Sequence, residues 1–304
     1  MRLATSTLFV GCTLIWGTTW YAITFQLGAV APEVGVALRF ALGAALLFGW
    51  CAWQRIAIAY SRHEHLHFAL QGITGFGLSY ILIYHAERFI VSGLVATGYA
   101  AMPLTNLVAA RLLFGTAMSR RVAAGGVLGV GGVALVFWPE LAQLSADLDA
   151  MIGAALTAAA VLLSCIANMV VLGQQRRGIS GWAPIAWAMG YGAAATALVA
   201  VLFGASWSIG WSAPFVFSLL YLAIGGSILA FGGYYVLLGR VGAARAAYIG
   251  VATPIVALLV SSLWEGFRWQ WQTWAGIGLV VAGSLLARSV SRGPAARPAT
   301  GASA

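Results

Sequence analysis

The sequence predicts an all-α polytopic membrane protein of ten transmembrane helices, arranged as two inverted five-helix repeats. Composition, apolar stretches of spanning length and an internal repeat predict it together. Apolar residues make up 62% of the 304-residue chain and charged residues 8%, with a mean hydropathy of +0.92. A soluble domain carries roughly 25% charged residues. A bilayer core about 30 Å thick needs about 20 apolar residues per helix. Ten stretches suit that length: residues 4–25, 33–53, 67–86, 91–112, 121–138, 151–173, 182–204, 214–238, 244–264 and 272–288. Residues 73–135 read again at 224–286 with a constant shift of 151, which carries Ile73 onto Ile224, Gly75 onto Gly226, Tyr84 onto Tyr235, Pro103 onto Pro254, Gly125 onto Gly276 and Gly132 onto Gly283. Each copy holds five stretches, an odd number, so the second enters the membrane from the opposite side. Inverted repeats of this kind are a transporter architecture with the substrate near the midplane.

The order of the chain is then a first repeat over 1–138, an outer linker over 139–150, a second repeat over 151–290 and a disordered cytoplasmic tail over 291–304. The first stretch is a spanning helix, too long for the apolar region of a cleaved signal peptide. The tail is Gly, Pro, Ala, Ser, Thr and Arg and cannot bury a core.

Arginine sets the orientation, because all 16 basic residues are Arg. With the N-terminus in the cytoplasm, thirteen fall at inner ends; Arg88 and Arg268 fall outside, and Arg39 lies inside a span. That distribution obeys the positive-inside rule and places both termini in the cytoplasm of a bacterial inner membrane protein. Six acids, Glu33, Glu87, Glu140, Asp147, Asp149 and Glu265, fall outside. The net charge of +9 is therefore a topology signal, and nucleic acid is not an expected partner. The expected partners are the bilayer and a small-molecule substrate, with a monomer as the working state and no cofactor.

Trp16-Gly17-Thr18-Thr19-Trp20 in the first stretch and Leu38-Arg39-Phe40 in the second resemble the drug/metabolite transporter superfamily, as does the repeat-end pattern Pro103 to Gly132 with its copy Pro254 to Gly283. More narrowly the chain resembles the EamA-type members with ten helices, and within these the exporters of aromatic amino acids of the YddG type. The resemblance implies a five-plus-five inverted fold and a central cavity lined by helices 1, 3, 4, 6, 8 and 9.

Helical spacing on those segments picks out candidate substrate-binding residues. Phe76, Tyr80 and Tyr84 are four apart and share a face; the repeat carries the last two onto Phe231 and Tyr235. Trp16 and Trp20 share a face of the first helix, and Ser164 and Asn168 a face of the sixth. Tyr99, Met102 and Asn106 lie around Pro103, and Tyr248 precedes Pro254. An aromatic-lined pocket with a few polar groups suits a neutral or zwitterionic solute with a flat side chain. Any one of these rings could instead pack between helices; the repetition at one offset favours the cavity. Asn106 and Asn168 either hold the solute's head group or bond between helices. Pro103 and Pro254 free carbonyls one turn back, giving a simple kink or a pair of gates. Arg39 is expected to snorkel outward or pair with Glu33 or Glu87, and His85 to be hydrogen-bonded.

No well-buried Asp or Glu is expected anywhere in the chain. That favours uniport, with proton-coupled drug or metabolite efflux as the alternative. His63-Glu64-His65-Leu66-His67 matches the H-E-x-x-H zinc-protease signature, which makes a membrane zinc protease a remote third reading. It lacks a third ligand and sits where a polar inner loop is expected, so the expectation is no enzyme and no metal. Cys12, Cys51 and Cys165 read as small buried side chains.

Overall fold

The computed structural model describes residues 4–115, 120–142, 148–234, 236–237, 240 and 249–288. Among these, ten helices carry nearly all of the chain: α1 Thr5–Thr24, α2 Pro32–Trp53, α3 Arg62–Ala86, α4 Ser92–Phe114, α5 Arg120–Ala142, α6 Leu148–Arg176, α7 Trp182–Leu202, α8 Ala213–Tyr234, α9 Ile249–Trp264 and α10 Trp271–Arg288. Six of them, α2, α3, α4, α6, α7 and α8, are long and apolar enough to cross a membrane. The sequence stretches numbered ten. The apolar parts of α5 and α9 are shorter, Ala123–Pro139 and Ala252–Trp264. In α1 the apolar run is diluted by Ser6 and by threonines at 5, 7, 13, 18, 19 and 24.

Local chemistry sets the ends. Pro32 opens α2, where its missing N–H costs nothing. Ser61 caps α3 by accepting from the Glu64 N–H at 3.3 Å, while the Glu64 carboxylate accepts from the Ser61 N–H at 2.5 Å. Gly115, at φ 63°, ends α4 in the left-handed conformation open to glycine.

Two helices change winding in the middle. Gly72–Leu78 of α3 and Tyr221–Leu229 of α8 are π-helical. The 151-residue shift carries 72–78 onto 223–229, inside the second segment. A π turn widens the helix by one residue per hydrogen-bonded ring and occurs often at functional sites.

Small residues let helices from the two halves touch, which packing in lipid requires because lipid tails are as apolar as Leu. In the antiparallel pair α5–α10, a Cβ on Gly132 would lie 2.4 Å from the Gly276 carbonyl oxygen, and one on Gly276 2.5 Å from that of Gly132. One on Gly283 would lie 2.3 Å from the Gly125 carbonyl oxygen. α2 packs on α7 and α1 on α9. The main buried cluster draws Phe40, Leu47, Phe76 and Tyr84 from the first half and Met189, Leu222 and Leu258 from the second. Leu112, Phe203, Phe217 and Leu263 stay more than two-thirds exposed at 78%, 82%, 72% and 71%, a perimeter suited to acyl chains.

The bundle has two ends. One carries the starts of α2, α4 and α10 with Glu265, and is called the Glu265 end. The other carries the ends of α2, α4 and α6 with the start of α7, and is called the Arg177 end.

Candidate functional site

The π segment of α3 leads directly into Tyr80. Its ring packs edge-on against Phe40 at 4.8 Å, and Phe40 also meets Phe76 at 5.1 Å. Tyr80 lies within electrostatic reach of Tyr99, at the short tight turn Tyr99–Ala101 inside α4. The Tyr99 ring stands 5.1 Å from Trp20 of α1, and its hydroxyl shares a hydrogen bond with Ser164 of α6 at 3.1 Å. Trp20, Tyr80 and Tyr99 are all half-buried. Further along the same pair of helices, Asn168 Nδ2 donates to Asn106 Oδ1 at 3.3 Å. The structure thus gathers Trp20, Tyr80, Tyr99, Ser164, Asn106 and Asn168 along α4 and α6. Asn168 is exposed. Met102 lies on the same helix, its sulfur 3.9 Å from the Thr105 hydroxyl.

Trp16 belongs to a second group. It meets Phe231 edge-on at 5.2 Å and Tyr234 at 5.7 Å, and its indole N–H donates to the Gly226 carbonyl at 3.0 Å, in the π segment of α8. Tyr84 departs from the expected stripe. It is fully buried, and its hydroxyl donates to Gln26 Oε1 at 3.0 Å. Phe76 is buried as well, 9% exposed. In this state neither presents a ring face to an open space, because the stripe turns into the core on both sides of Tyr80. Pro254 is buried inside α9. Pro103 lies in the first turn of α4's second segment, and Tyr235 and Tyr248 lie outside the described residues.

The charged residues correct two expectations. Glu33 pairs with His85 at 2.7 Å, which leaves it no role for Arg39. Arg39 does not snorkel: it is 3% exposed, with its guanidinium carbon 4.7 Å from the Tyr80 ring centre and 5.1 Å from that of Phe40. Glu87, placed in an outer loop by its sequence, is only 8% exposed. Desolvation, with the Glu265 charge adding to it, raises the Glu87 carboxyl well above the ordinary glutamate range, against the opposing pull of Arg39. A buried carboxyl is therefore present.

The Glu265 end is closed by residues that sequence reading passed over. Glu265 accepts from the Ser92 N–H at 3.1 Å and the Ser92 hydroxyl at 2.5 Å, and from the Ser261 hydroxyl. Ser261 in turn accepts from the Gly93 N–H at 2.8 Å. One carboxylate and one hydroxyl of the second half thereby cap the start of α4 in the first.

The Arg177 end is hollow. A cavity of about 550 Å³ is lined by Gln71, Gln174, Gln175, Ser180, Trp182 and Gly232, among others. At its base the buried Gln174 Nε2 donates to Gln71 Oε1 at 3.1 Å. Nearby, the H-E-x-x-H residues are occupied otherwise. Glu64 completes the capping box, His67 Nδ1 contacts the His63 carbonyl at 2.8 Å, and His63 Nε2 meets Arg177 at 3.0 Å. Among the described residues no three His, Cys, Asp or Glu side chains converge on a metal position. The three cysteines are buried and free.

Comparison with known proteins decides the family. The model of the EamA-like transporter family matches residues 4–138 and again residues 150–289. The chain belongs to the EamA-like transporter family. As an EamA-like chain it is a multi-pass membrane transporter rather than an enzyme. It is 28% identical over 251 residues to the uncharacterized transporter YoaV of Bacillus subtilis, covering 82% of this chain and 84% of that one. It is 27% identical over 111 residues to protein PagO of Salmonella typhimurium, 36% of each chain. A solved structure titled only as a crystal structure of a protein superposes with a TM-score of 0.70 at 18% identity over 96% of this chain and 99% of that one, a likeness of fold.

Proposed function

We propose that this EamA-like transporter exports small neutral or zwitterionic metabolites, most specifically amino acids with flat apolar side chains, by alternating access through a central pocket between two inverted five-helix repeats. The carrying observation is the group Trp20, Tyr80, Tyr99 and Ser164, where two half-buried tyrosines and a tryptophan meet a hydroxyl at the junction of α1, α3, α4 and α6. Ring faces stabilise a flat side chain by about 0.5–1.5 kcal/mol each beyond burial. Asn106 and Asn168 offer an amide pair to a zwitterionic head.

What supports the inversion is the reciprocity of α5 and α10, in which Gly132 meets Gly276 and Gly125 meets Gly283, together with the coincidence of the two π segments under the 151-residue shift. The family match is also given twice, once in each half. In this reading all ten helices span a bacterial inner membrane, both termini are cytoplasmic, and the Glu265 end faces outward. The state described is closed outward and open at its cytoplasmic end. Rocking of the two repeats, with Pro103 and Pro254 absorbing the bend, would exchange the two. The working form is a monomer moving solute down its gradient. Proton exchange is the second reading, and the buried Glu87 beside Arg39 and Glu265 is the observation that favours it.

Counterflow in proteoliposomes tests the substrate class. Tyr80→Ala should weaken phenylalanine relative to alanine by about 1 kcal/mol, several-fold in apparent affinity. Asn168→Ala should weaken both alike. Unchanged selectivity in Tyr80→Ala, Trp20→Ala and Tyr99→Ala would reduce the aromatic group to packing. Labelling of a cysteine at position 147 in intact cells tests orientation.

A further inference from the structure

Arg39 is the one arginine placed inside a predicted span, and its surroundings do not satisfy it. It is 3% exposed, yet Nε and Nη1 have no hydrogen-bond partner. Burying a cation without partners is costly enough that such groups are normally paired or bound to something. The obvious partner does not take it. Glu87 is buried and senses Arg39, but neither of its carboxylate oxygens has a hydrogen-bond partner. Glu33 is held by His85. The remaining neighbours are rings and hydroxyls: Phe40 and Tyr80 lie at the guanidinium, and the Tyr84 hydroxyl meets it. The other half of the molecule comes close to it: a Cβ on Gly226 of α8 would be in ordinary contact with Arg39 Nη2 at 3.5 Å.

A planar guanidinium with free N–H groups matches a carboxylate in both charge and geometry. This one stands a single ring, Tyr80, away from Tyr99 and Trp20. We propose that Arg39 is the anion-binding element of the site and takes the carboxylate of the transported solute, whose flat apolar part lies along Tyr80, Tyr99 and Trp20. The inference rests on the transport reading above and narrows it to solutes that carry a carboxylate. Arg39 is then a binding residue, and the Asn106–Asn168 pair is left for the ammonium or for a structural bond.

The test uses the full-length protein in detergent, with binding read by isothermal titration calorimetry. The probes are 3-phenylpropionate and its uncharged amide, 3-phenylpropanamide. Wild type should bind the anion about tenfold or more tightly than the amide, the scale of a charge-assisted hydrogen bond. Arg39→Gln should lose that preference while keeping its affinity for the amide. Where Arg39→Gln does not elute as a single species, Arg39→Lys decides. A point charge replacing the fork should weaken the anion several-fold and leave the amide unchanged. Equal binding of both probes by wild type, no binding of either, or an anion preference that survives the substitution would overturn the proposal. Phenylalanine counterflow is measured in parallel. Arg39-dependent anion binding without flux would sink the transport reading alone; flux with no Arg39 dependence would sink the anion site alone.

Discussion

The Glu265 end and the Arg177 end stand on related sequence yet are held shut, or open, by different chemistry. At the Glu265 end, Ser92, Gly93, Ser261 and Glu265 form a hydrogen-bonded latch between α4 and α9. The 151-residue shift puts Ala243, Ala244, Ala110 and Phe114 in the corresponding places. None of these side chains can reproduce the latch, and Phe114 instead lies under the Arg176 guanidinium at 4.4 Å. The exchange runs the other way too. Gln71 and Gln174, bonded at the base of the Arg177-end cavity, correspond to Leu222 and Ile23, both buried in the apolar core. The repeat supplies related sequence twice, and a few substitutions give one end a carboxylate latch and the other a cavity above a glutamine pair. In the transport reading this biases the resting state, since opening the Glu265 end breaks a carboxylate-centred latch, whereas the halves meet at the Arg177 end through contacts such as that of Arg177 with His63.

The largest effect should come from making the latch covalent. Ser92 Oγ and Ser261 Oγ are 3.3 Å apart, so the pair Ser92→Cys with Ser261→Cys should oxidise readily. Counterflow should fall to background on oxidation and return with reductant. Full flux through the cross-linked protein would mean that α4 and α9 do not part during transport. Next in size is removal of the acceptor. Glu265→Ala leaves the Ser92 amide and the Ser92 and Ser261 hydroxyls without their acceptor, each charge-assisted bond being about 1.5–3 kcal/mol. A cysteine at Val91 should then react at least several-fold faster with a polar maleimide. An unchanged rate would show that packing, not the latch, closes this end.

The comparison also separates what was legible in the sequence from what was not. The helices, their order and the repeat were legible because hydrophobic runs and glycine spacing are one-dimensional signals. Trp20 and Tyr99 were candidates on separate helices, as were Asn106 and Asn168, and spacing along one helix could not show that Trp20 meets Tyr99 or that Asn168 meets Asn106. The latch was not legible either. Ser92 and Glu265 are 173 positions apart, and nothing in either segment points to the other until the helices are folded. Tyr84 was misplaced because helical spacing gives a face but not what covers it; here Gln26, from the α1–α2 connection, seals it. Glu87 was misplaced for the mirror reason, since its position just past α3 says loop, while its surroundings close over it.

Glu87 gives a prediction with a sign. Its carboxyl is held well above the ordinary range by burial and by Glu265, so the folded chain holds that proton where the unfolded chain has released it. Stability should therefore be greatest below the unfolded value of about 4.3 and fall as pH rises from there toward the raised folded value. The groups acting on Glu87 are Arg39 and Glu265. Glu87→Gln should flatten this decline in melting temperature between acid and neutral pH. An identical slope in wild type and Glu87→Gln would mean that the carboxyl titrates normally and would remove the support for proton exchange.

The smallest effect is expected at the Arg177 end. Gln174→Leu restores at that position the apolar character that Ile23 has at the other end, but it leaves Gln71 buried and without its partner. The lost bond is worth about 1 kcal/mol, with a stranded amide adding a further 1–3 kcal/mol unless water from the cavity reaches it. Because the cavity adjoins both glutamines, solvent should meet Gln71 and the loss should stay near the lower figure. The double variant Gln71→Leu with Gln174→Leu removes both polar groups and should recover most of that loss, as matched apolar replacement does. Counterflow in the double variant should slow only if the polar base of the cavity is part of the path. An equal melting temperature for wild type and Gln174→Leu would show that the amide bond contributes nothing, and that this end is held by the helices packed around it.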